Sequence, residues 1–423
     1  MTSSSLAQPE LSVAQRFFLP LEQFLPLCQH LRACPALPDR DWLCLLVQRV
    51  LHAVPSGRAF LQEHAPACSV SPELTTFFES LRSTRRLALV DELNHRLRSL
   101  LRQRLPDRLA AYPELDNFDV FAGDGHWHAA AVHDAPTDGT RYATGHFFGL
   151  NLRHGGVFHL TAADRIERLK EHDMRALKRL EVRTLRQDAP TGRQVLWVWD
   201  KAGIDFRQWH RWKQSAGIYF VSRPKENMTR DVVGRNRWEP EAPINQGVVD
   251  DVLVATSQGM AVRRVTYRDP VDGELFEFLT NEFELPPGLI VHLYRLRWDI
   301  EKTFDEFKNK LAEKKSWASS PTAKSIHAQL LCLTHTLLAL FETAVVEAAG
   351  IRNVAEDARR ERRLAEVEAG LVRGGERLPD AIRTLLRCTQ HSVKLIRWLR
   401  SSLRESTSCQ AALARLRGLY AKL

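Results

Sequence analysis

The sequence predicts a mixed α/β (α+β) fold, in which helical regions flank a core built on a sheet. Residues 10–105 and those from about 322 onward repeat apolar side chains every three or four positions, as amphipathic helices do. Residues 118–163 instead form short strand-like runs separated by turn-forming residues, and residues 164–223 alternate helical and strand-like segments. A three-stranded meander followed by alternating helices and strands describes a mixed sheet with helices packed on it.

These patterns divide the 423 residues into five predicted regions, as expected for a chain longer than one ordinary domain. They are a helical N-terminal region (1–105), a first core part (106–224), a β-rich insertion subdomain (225–285), a second core part (286–345) and a helical C-terminal region (346–423). The last region carries most of the net charge of +9. This excess suits a polyanion such as DNA, a dimer surface or simply a solvated pair of basic helices.

Each core element has its own sequence signal. Strands are predicted where aromatic and β-branched residues lie between Gly, Asn, Asp and Pro, at 118–132, 141–153, 157–163, 194–200, 218–223, 251–255, 261–267 and 274–280. Helices are predicted where apolar residues share one side, at about 164–186, at about 205–216 and through 294–308.

The composition predicts a reduced, cytoplasmic protein. Seven cysteines without a C-x-x-C pair argue against a disulfide framework or a structural zinc. The N-terminus lacks the basic start and apolar core of a signal peptide. The most apolar stretch begins at Ile326 and is interrupted by His327, Gln329, His335 and Glu342, so we expect a buried helix there and no membrane association.

The stretch YRLRWDIEKTFDEFK places four polar residues in one row of a helix. At about 100° per residue, Tyr294, Arg297, Glu301 and Lys308 share an arc of about 60° beside the apolar stripe. A row beside the buried stripe suits the edge of a cleft, whereas a solvated row tends to lie opposite it. An ordinary surface ion pair between Arg297 and Glu301 is the simpler alternative.

Two aspartates end predicted strands and could join Glu301. Asp124 follows an apolar run and precedes Gly125, and Asp200 ends the buried strand VLWVWD. A carboxylate at the end of a buried strand is costly unless it is paired, hydrogen-bonded or bound to a metal. Three such groups are what a hard divalent cation prefers, although each aspartate alone is more often a cap or a turn former.

The spacing Y-x2-R-x3-E-x6-K resembles the signature of insertion-sequence transposases of the DDE class, in the IS-four family. AGDG around Asp124, VLWVWDKAG around Asp200 and FVSRPKEN at 220–227 are similar to the regions around the other catalytic residues of that family. The run KAG after Asp200 departs from the family pattern, which leaves Asp205 open as the alternative ligand. The resemblance covers about 115–345.

This resemblance implies an RNase H-like catalytic core with a β-rich insertion before the catalytic glutamate. Asp124, Asp200 and Glu301 would be the catalytic residues and hold two Mg²⁺ or Mn²⁺ ions. The implied reaction is cleavage at transposon ends followed by attack of the freed 3′-OH on target DNA.

The resemblance also implies partners for the remaining polar residues. Tyr294, Arg297 and Lys308 would contact phosphates near the cleaved end. Trp238 would stack on a flipped base, with simple packing within the subdomain as the alternative. By analogy, the N-terminal helices would bind the terminal inverted repeats and the C-terminal helices would form a homodimer on DNA, in the bacterial cytoplasm and at the nucleoid.

Two other functions remain open from the sequence. An RNase H-like nuclease without strand transfer would need the three carboxylates but no device to hold a 3′-OH end. A domesticated or inactive DNA-binding protein would need neither. His126 and His128, close to Asp124, are interpreted as local hydrogen-bonding residues, with metal binding or tuning of the site as the alternative.

Overall fold

A nine-stranded sheet with helices on both faces organises the chain. The structure is a computed structural model that describes residues 11–422 except 35, 53–55, 65–71, 164, 167–168, 172, 227, 229–230, 257–258, 312–314, 376, 378, 380–389 and 406. The strands are β1 (Phe118–His128), β2 (Thr144–Asn151), β3 (Val157–Ala162), β4 (Arg165–Ile166), β5 (Leu169–Lys170), β6 (Gln194–Trp199), β7 (Ile218–Ser222), β8 (Asp231–Arg235), β9 (Val248–Ala255), β10 (Ala261–Arg268) and β11 (Leu275–Thr280).

The helices precede, interrupt and follow the strands. They are α1 (Val13–Phe24), α2 (Asp39–His52), α3 (Gly57–His64), α4 (Leu74–Ser80), α5 (Thr84–Arg104), α6 (Asp173–Lys178), α7 (Val182–Leu185), α8 (Phe206–Ala216), α9 (Pro287–Leu296), α10 (Trp298–Asn309), α11 (Pro321–Ala349), α12 (Val354–Arg373), α13 (Val393–Ser402) and α14 (Cys409–Ala421). The predicted mixed α/β fold class, with helical regions at both ends, is confirmed.

The sheet has the order β3-β2-β1-β6-β7-β11-β10-β9-β8. Strands β1, β2 and β3 form an antiparallel meander, β6 pairs parallel with β1, and β7 pairs parallel with β6. Because β1 and β6 run parallel, their carboxyl ends meet at the same edge of the sheet. Open sheets containing parallel strands commonly bind ligands at such an edge.

The β-rich segment extends this sheet and does not form a separate layer. Strand β11 joins β7 through two residue pairs, Leu279 with Ser222 and Thr280 with Val221. The side chain of Asn281 reinforces the joint, since its Oδ1 accepts a hydrogen bond from the backbone N–H of Phe220 at 2.8 Å. The boundaries drawn at 225–285 stay a prediction, but the strands within them are hydrogen-bonded to the core.

Helices cover the two faces of the sheet with separate apolar cores. On one face, residues of β1 and β6 pack with α5, α9, α10 and α11. On the other face, aromatic residues of the same strands pack with α6 and α8, including the stacked pair Trp197 and Trp199 at 4.8 Å. Alternation along each strand therefore assigns every side chain of β1 and β6 to one of two cores.

Helix α11 is the central helix of the larger core. Its length and composition would allow it to span a membrane, but 72% of its most apolar window is buried inside the protein. It packs on α2, α5 and β3. This arrangement agrees with the predicted buried helix.

The structure corrects three local predictions. Residues 164–186 do not form one helix: the described part contains the hairpin β4–β5 and the short helices α6 and α7. The helix predicted through 294–308 is divided at Arg297, where the N–H of Arg297 bonds the Tyr294 carbonyl at i−3 and its own carbonyl accepts from Ile300. Strand β8 was not predicted, because its residues are mostly exposed and give no alternation.

The cysteines agree with the reduced state that the sequence predicts. The free thiols in the described part of the chain are Cys28, Cys34, Cys44, Cys332 and Cys409. Cys68 and Cys388 lie outside the described residues.

Candidate active site

Asp124 and Asp200 lie side by side where the pairing of the parallel strands β1 and β6 stops. Asp200 directly follows β6, but the expectation that Asp124 ends its strand is wrong, because β1 continues to His128 through its pairing with β2. Gly123 of β1 pairs with Trp199 of β6, so the next residue on each strand is one of the two aspartates. The close approach requires glycine at 123, because a Cβ there would lie 2.0 Å from the Trp199 ring. The local sequence thus brings two acids, 76 residues apart in the chain, to one edge of the sheet.

Both aspartates belong to the face that α9 and α10 cover. Val120 and Ala122 precede Asp124 on that side of β1, and Val198 precedes Asp200 on β6. Since alternate residues of a strand point to the same face, the two carboxylates are directed towards the helices that carry Glu301. The alternation of apolar residues along the two strands therefore directs both carboxylates to the same face of the sheet.

The guanidinium of Arg297 joins the glutamate to the first aspartate. Its Nη1 donates to Asp124 Oδ2 at 3.1 Å and its Nη2 lies 2.8 Å from Glu301 Oε1. Arg297 is 6% exposed, so this bridge is a buried contact and differs from the surface ion pair considered above. The turn that divides the helix at Arg297 places its side chain between the two acids.

The charges of the site act on one another strongly. The pKa of Asp124 is raised to about 6, chiefly by burial and also by the carboxylates of Glu301 and Asp200, while Arg297 and the Gly125 N–H oppose the rise. Burial would lower the pKa of Arg297, but Tyr294 and the three carboxylates hold it above its ordinary value. The pKa values of Asp124 and Arg297 thus depend on one group of charges, in which Arg297 contacts Asp124 and Glu301 directly.

The other predicted contact residues occupy different environments. Tyr294 is 7% exposed, and its ring centroid lies 4.9 Å from that of Phe278. The guanidinium carbon of Arg297 lies 5.6 Å from the centroid of the same tyrosine ring. Lys308 is exposed near the end of α10. Trp238 is half-buried in the loop after β8, where the neighbouring Asn236 bonds Asp251. Tyr294 and Arg297 are therefore close to the acids, whereas Trp238 lies in the β-rich segment.

Asp205, the alternative to Asp200, has a different role. It caps α8, where its Oδ1 accepts from the Gln208 N–H at 2.9 Å, and its other oxygen pairs with Lys178 at 2.5 Å. Asp200 bonds only the N–H of the next residue among its described contacts, at 2.6 Å, and its charge acts on Asp124, Tyr294 and Arg297. Of the two, Asp200 is the carboxylate that faces the site.

The donor set fits hard divalent cations. The groups around Arg297 are carboxylates, which Mg²⁺ and Mn²⁺ prefer, and Arg297 supplies the positive charge that such ions would provide.

Part of the chain is similar to known transposase sequences. Residues 159–337 match the family model described as the transposase DDE domain. This stretch of the chain is similar to a transposase DDE domain. A protein of Sinorhizobium fredii (strain NBRC 101917 / NGR234) named "Putative transposase y4zB" is 28% identical over 163 residues, which are 36% of this chain and 45% of that protein. The aligned region thus spans less than half of that relative.

The matched part of the DDE domain includes Asp200, Arg297, Glu301 and Lys308 but begins after Asp124. Asp124 enters the site through the pairing of β1 with β6, so the structure adds this residue to the segment that the family model covers. The narrower assignment to the IS-four family stays a prediction.

A group of buried imidazoles flanks the acids of the DDE domain. His128 and His146 lie 4.5 Å apart between ring centroids, His146 Nδ1 is 3.0 Å from His159 Nε2, and His327 is 5.5 Å from His128. His126 stacks on Phe304 at 4.6 Å. Burial lowers the pKa of His128 and His146 well below the ordinary value, and that of His159 from 6.5 to about 4.

This histidine group predicts acid sensitivity of the fold. Between pH 6.5 and about 4, the unfolded chain takes up protons at these histidines while the folded protein does not, so stability falls as the pH falls through this window. We expect His159→Gln to retain a hydrogen-bonding side chain and to flatten this part of the profile. Melting temperatures of wild type and His159→Gln between pH 6.5 and about 4 test this. Parallel curves of melting temperature against pH would contradict it.

A second polar cluster was missed from the sequence. Glu306, His335 and His391 are fully buried and their ligand-type atoms all lie within 4.8 Å of one another. The available signal was weak: His335 was noticed only as an interruption of an apolar helix, and 29 and 85 residues separate the histidines from Glu306.

Proposed function

We propose that this protein is a transposase that cleaves DNA at transposon ends and transfers the freed 3′-OH to target DNA. The observation that carries the proposal is the buried bridge from Arg297 to Asp124 and Glu301, beside Asp200 on the adjacent strand. A structural ion pair needs one acid, whereas this bridge joins two acids, and a third acid follows the adjacent strand. The DDE domain match supports the same class of reaction.

In this proposal, Asp124, Asp200 and Glu301 hold two Mg²⁺ or Mn²⁺ ions. Such ions supply activation of the attacking oxygen and stabilisation of the leaving oxygen in phosphodiester transfer. Arg297 neutralises Asp124 and Glu301 and keeps their oxygens in place before metal binds. Its buried position between β1 and α10 makes it a positioning residue for the carboxylates.

The proposed DNA contacts surround the acids. Lys308 is exposed on the helix that carries Glu301 and can reach a phosphate as a point charge. The Tyr294 hydroxyl and the Arg297 guanidinium lie at the inner end of the same row and would contact the phosphate nearest the reacting bond. Trp238 would stack on a base displaced from the duplex, and two copies of the chain would act together on paired ends.

Cleavage and joining of DNA test the proposal. The substrate is a duplex carrying the terminal repeats that flank the gene, incubated with the full chain and Mg²⁺ or Mn²⁺. Wild type and the matched control Asp205→Asn, which alters the cap of α8 and the ion pair with Lys178, should cut and join the ends. Asp200→Asn should bind the same duplex but neither cut nor join it.

The other outcomes identify the alternatives. Cutting without joining would favour an RNase H-like nuclease, and binding without cutting by wild type would favour a domesticated DNA-binding protein. Equal activity of Asp200→Asn and wild type would refute the assigned site.

Lys308→Ala should weaken binding to the DNA ends uniformly across sequences. One lost phosphate contact reduces the slope of log affinity against log salt by about 1. Fluorescence anisotropy on labelled duplexes at several salt concentrations measures the slope. The exposed Lys201, beside Asp200, provides the comparison Lys201→Ala, and an unchanged slope for Lys308→Ala would exclude this lysine from the interface.

A further inference from the structure

We infer that Glu306, His335 and His391 form a binding site for a zinc ion or a related first-row transition metal, separate from the carboxylates of the DDE domain. The inference concerns a group of side chains that the proposed reaction does not use, and it stands whether or not the chain transposes DNA.

The geometry suits an ion held between three ligands. His335 Nδ1 lies 2.8 Å from Glu306 Oε1, and His391 Nδ1 lies 3.2 Å and 3.1 Å from the two oxygens of Glu306. Ligands at about 2.0–2.2 Å from a tetrahedral zinc ion stand about 3.3 Å from one another. The contacts from Glu306 to the two histidines thus need to lengthen only by tenths of an ångström to accept the ion, and all the ligand atoms already lie within 4.8 Å of one another, with a fourth position left for water.

Burial gives these residues a reason to bind a cation. Glu306 is 0% exposed, and His335 and His391 are 2% and 5% exposed. A fully buried carboxylate requires a compensating positive charge, which either a proton shared with the histidines or a metal ion can provide. Imidazole nitrogens favour zinc and its neighbours over Mg²⁺, which prefers oxygen ligands, so this cluster and the three carboxylates differ in the metal they select.

The proposed ion would join three segments that are remote in sequence. Glu306 lies on α10, the helix that carries Glu301; His335 lies on α11; and His391 precedes α13. The neighbouring Gln390 already bonds α10, since its Nε2 donates to the Lys302 carbonyl at 2.6 Å and to Asp305 at 2.8 Å. The metal would therefore fasten the C-terminal helices to the back of the helix that carries the catalytic glutamate.

Metal content of the full-length protein tests the inference. A protein in which Asp124, Asp200 and Glu301 are all replaced by Ala removes the other metal site from the measurement. After incubation with Zn²⁺ and gel filtration in a buffer containing Mg²⁺, we expect this protein to retain about one zinc per chain. Co²⁺ bound in place of zinc should give the visible absorption of a low-coordinate imidazole site, and added Zn²⁺ should abolish it.

Histidine variants locate the metal. His335→Gln and His391→Gln in the same background should each lower the retained zinc at least tenfold, whereas His210→Gln, at an exposed histidine of α8, should leave it unchanged. Retention of less than about a tenth of an equivalent by the parent protein, together with no Co²⁺ absorption, would overturn the inference and assign the cluster to a shared proton. Equal zinc in the His335 and His391 variants and their parent would also overturn it. The parent measurement decides the matter even if a variant fails to fold.

Discussion

Asp124→Asn is expected to abolish DNA cleavage and to make the folded protein more stable. The pKa of Asp124 is raised from 3.8 to about 6, so the folded state carries its negative charge at a cost that the unfolded chain does not have. The asparagine removes the charge, and its Oδ1 can still accept a hydrogen bond from Arg297. We therefore expect the charge of Asp124 to be required for cleavage and to lower the stability of the folded protein.

The sign and size of this effect follow from the pKa. A group with a raised folded pKa destabilises the protein increasingly as the pH rises from 3.8 to about 6, and fully above that. Two pKa units correspond to nearly 3 kcal/mol, and because the Asp124 side chain is 22% exposed we discount this to about 1–2 kcal/mol. Loss of a metal ligand should lower the cleavage rate by about a thousandfold or more.

Thermal melting and DNA cleavage by the same preparations check both parts. The melting temperature of Asp124→Asn should exceed that of wild type at pH 8, and the difference should vanish towards pH 4. Asp205→Asn serves as the control, because it retains a capping side chain outside the site. A variant that is less stable than wild type at pH 8 would contradict the cost assigned to the buried charge, and retained cleavage would contradict the catalytic role.

Arg297→Met should destabilise the metal-free protein and make it depend on divalent metal for stability. Methionine fills much of the same space but leaves Asp124 and Glu301 without their shared cation. Removing one partner of a buried ion pair costs about 3–5 kcal/mol. We expect about 2–4 kcal/mol, because Asp124 can take up a proton as the pH approaches its pKa of about 6.

The dependence on metal distinguishes this role from ordinary packing. In wild type, an incoming Mn²⁺ competes with Arg297 for the oxygens of Asp124 and Glu301, whereas in the variant the oxygens are free of that competitor. Mn²⁺ should therefore raise the melting temperature of Arg297→Met by more than that of wild type. Arg295→Met breaks the ion pair between Arg295, near the end of α9, and Asp269. This variant should also be less stable than wild type, but Mn²⁺ should not raise its melting temperature by more than that of wild type.

An equal response of the two variants to Mn²⁺ would refute the proposal that Arg297 stands in for a metal. DNA cleavage by Arg297→Met should also fall, because the same side chain is proposed to contact the scissile phosphate. The melting experiment needs no DNA and separates the two roles.

Much of the fold could be predicted because local patterns decide it. Strands β1 and β6 and helix α8 were predicted within a few residues, since each carries a strong apolar pattern bounded by turn or capping residues. Residues 164–186 failed because isolated apolar residues at helical spacing also fit a hairpin followed by two short helices.

The candidate site was predictable to the level of residue types but not of contacts. Asp124, Asp200 and Glu301 were chosen for strand ends and for a spaced motif, and the structure puts them in one electrostatic group. The bridge through Arg297 depends on the break between α9 and α10, which no proline or glycine announces. The cluster of Glu306, His335 and His391 depends on the docking of segments far apart in sequence, which periodicity cannot register.

The joint between β7 and β11 fixes the spacing between two parts of the sheet that a long nucleic acid could contact. Two backbone residue pairs and the side chain of Asn281 connect the half of the sheet that carries the acids to the half that carries the Trp238 loop. A shift of one residue in the register between β7 and β11 would move each side chain of the outer strands to the opposite face of the sheet. The register is therefore fixed, and with it the spacing of the outer strands from the acids. A nucleic acid that touches both halves would therefore meet a spacing that the protein sets before binding.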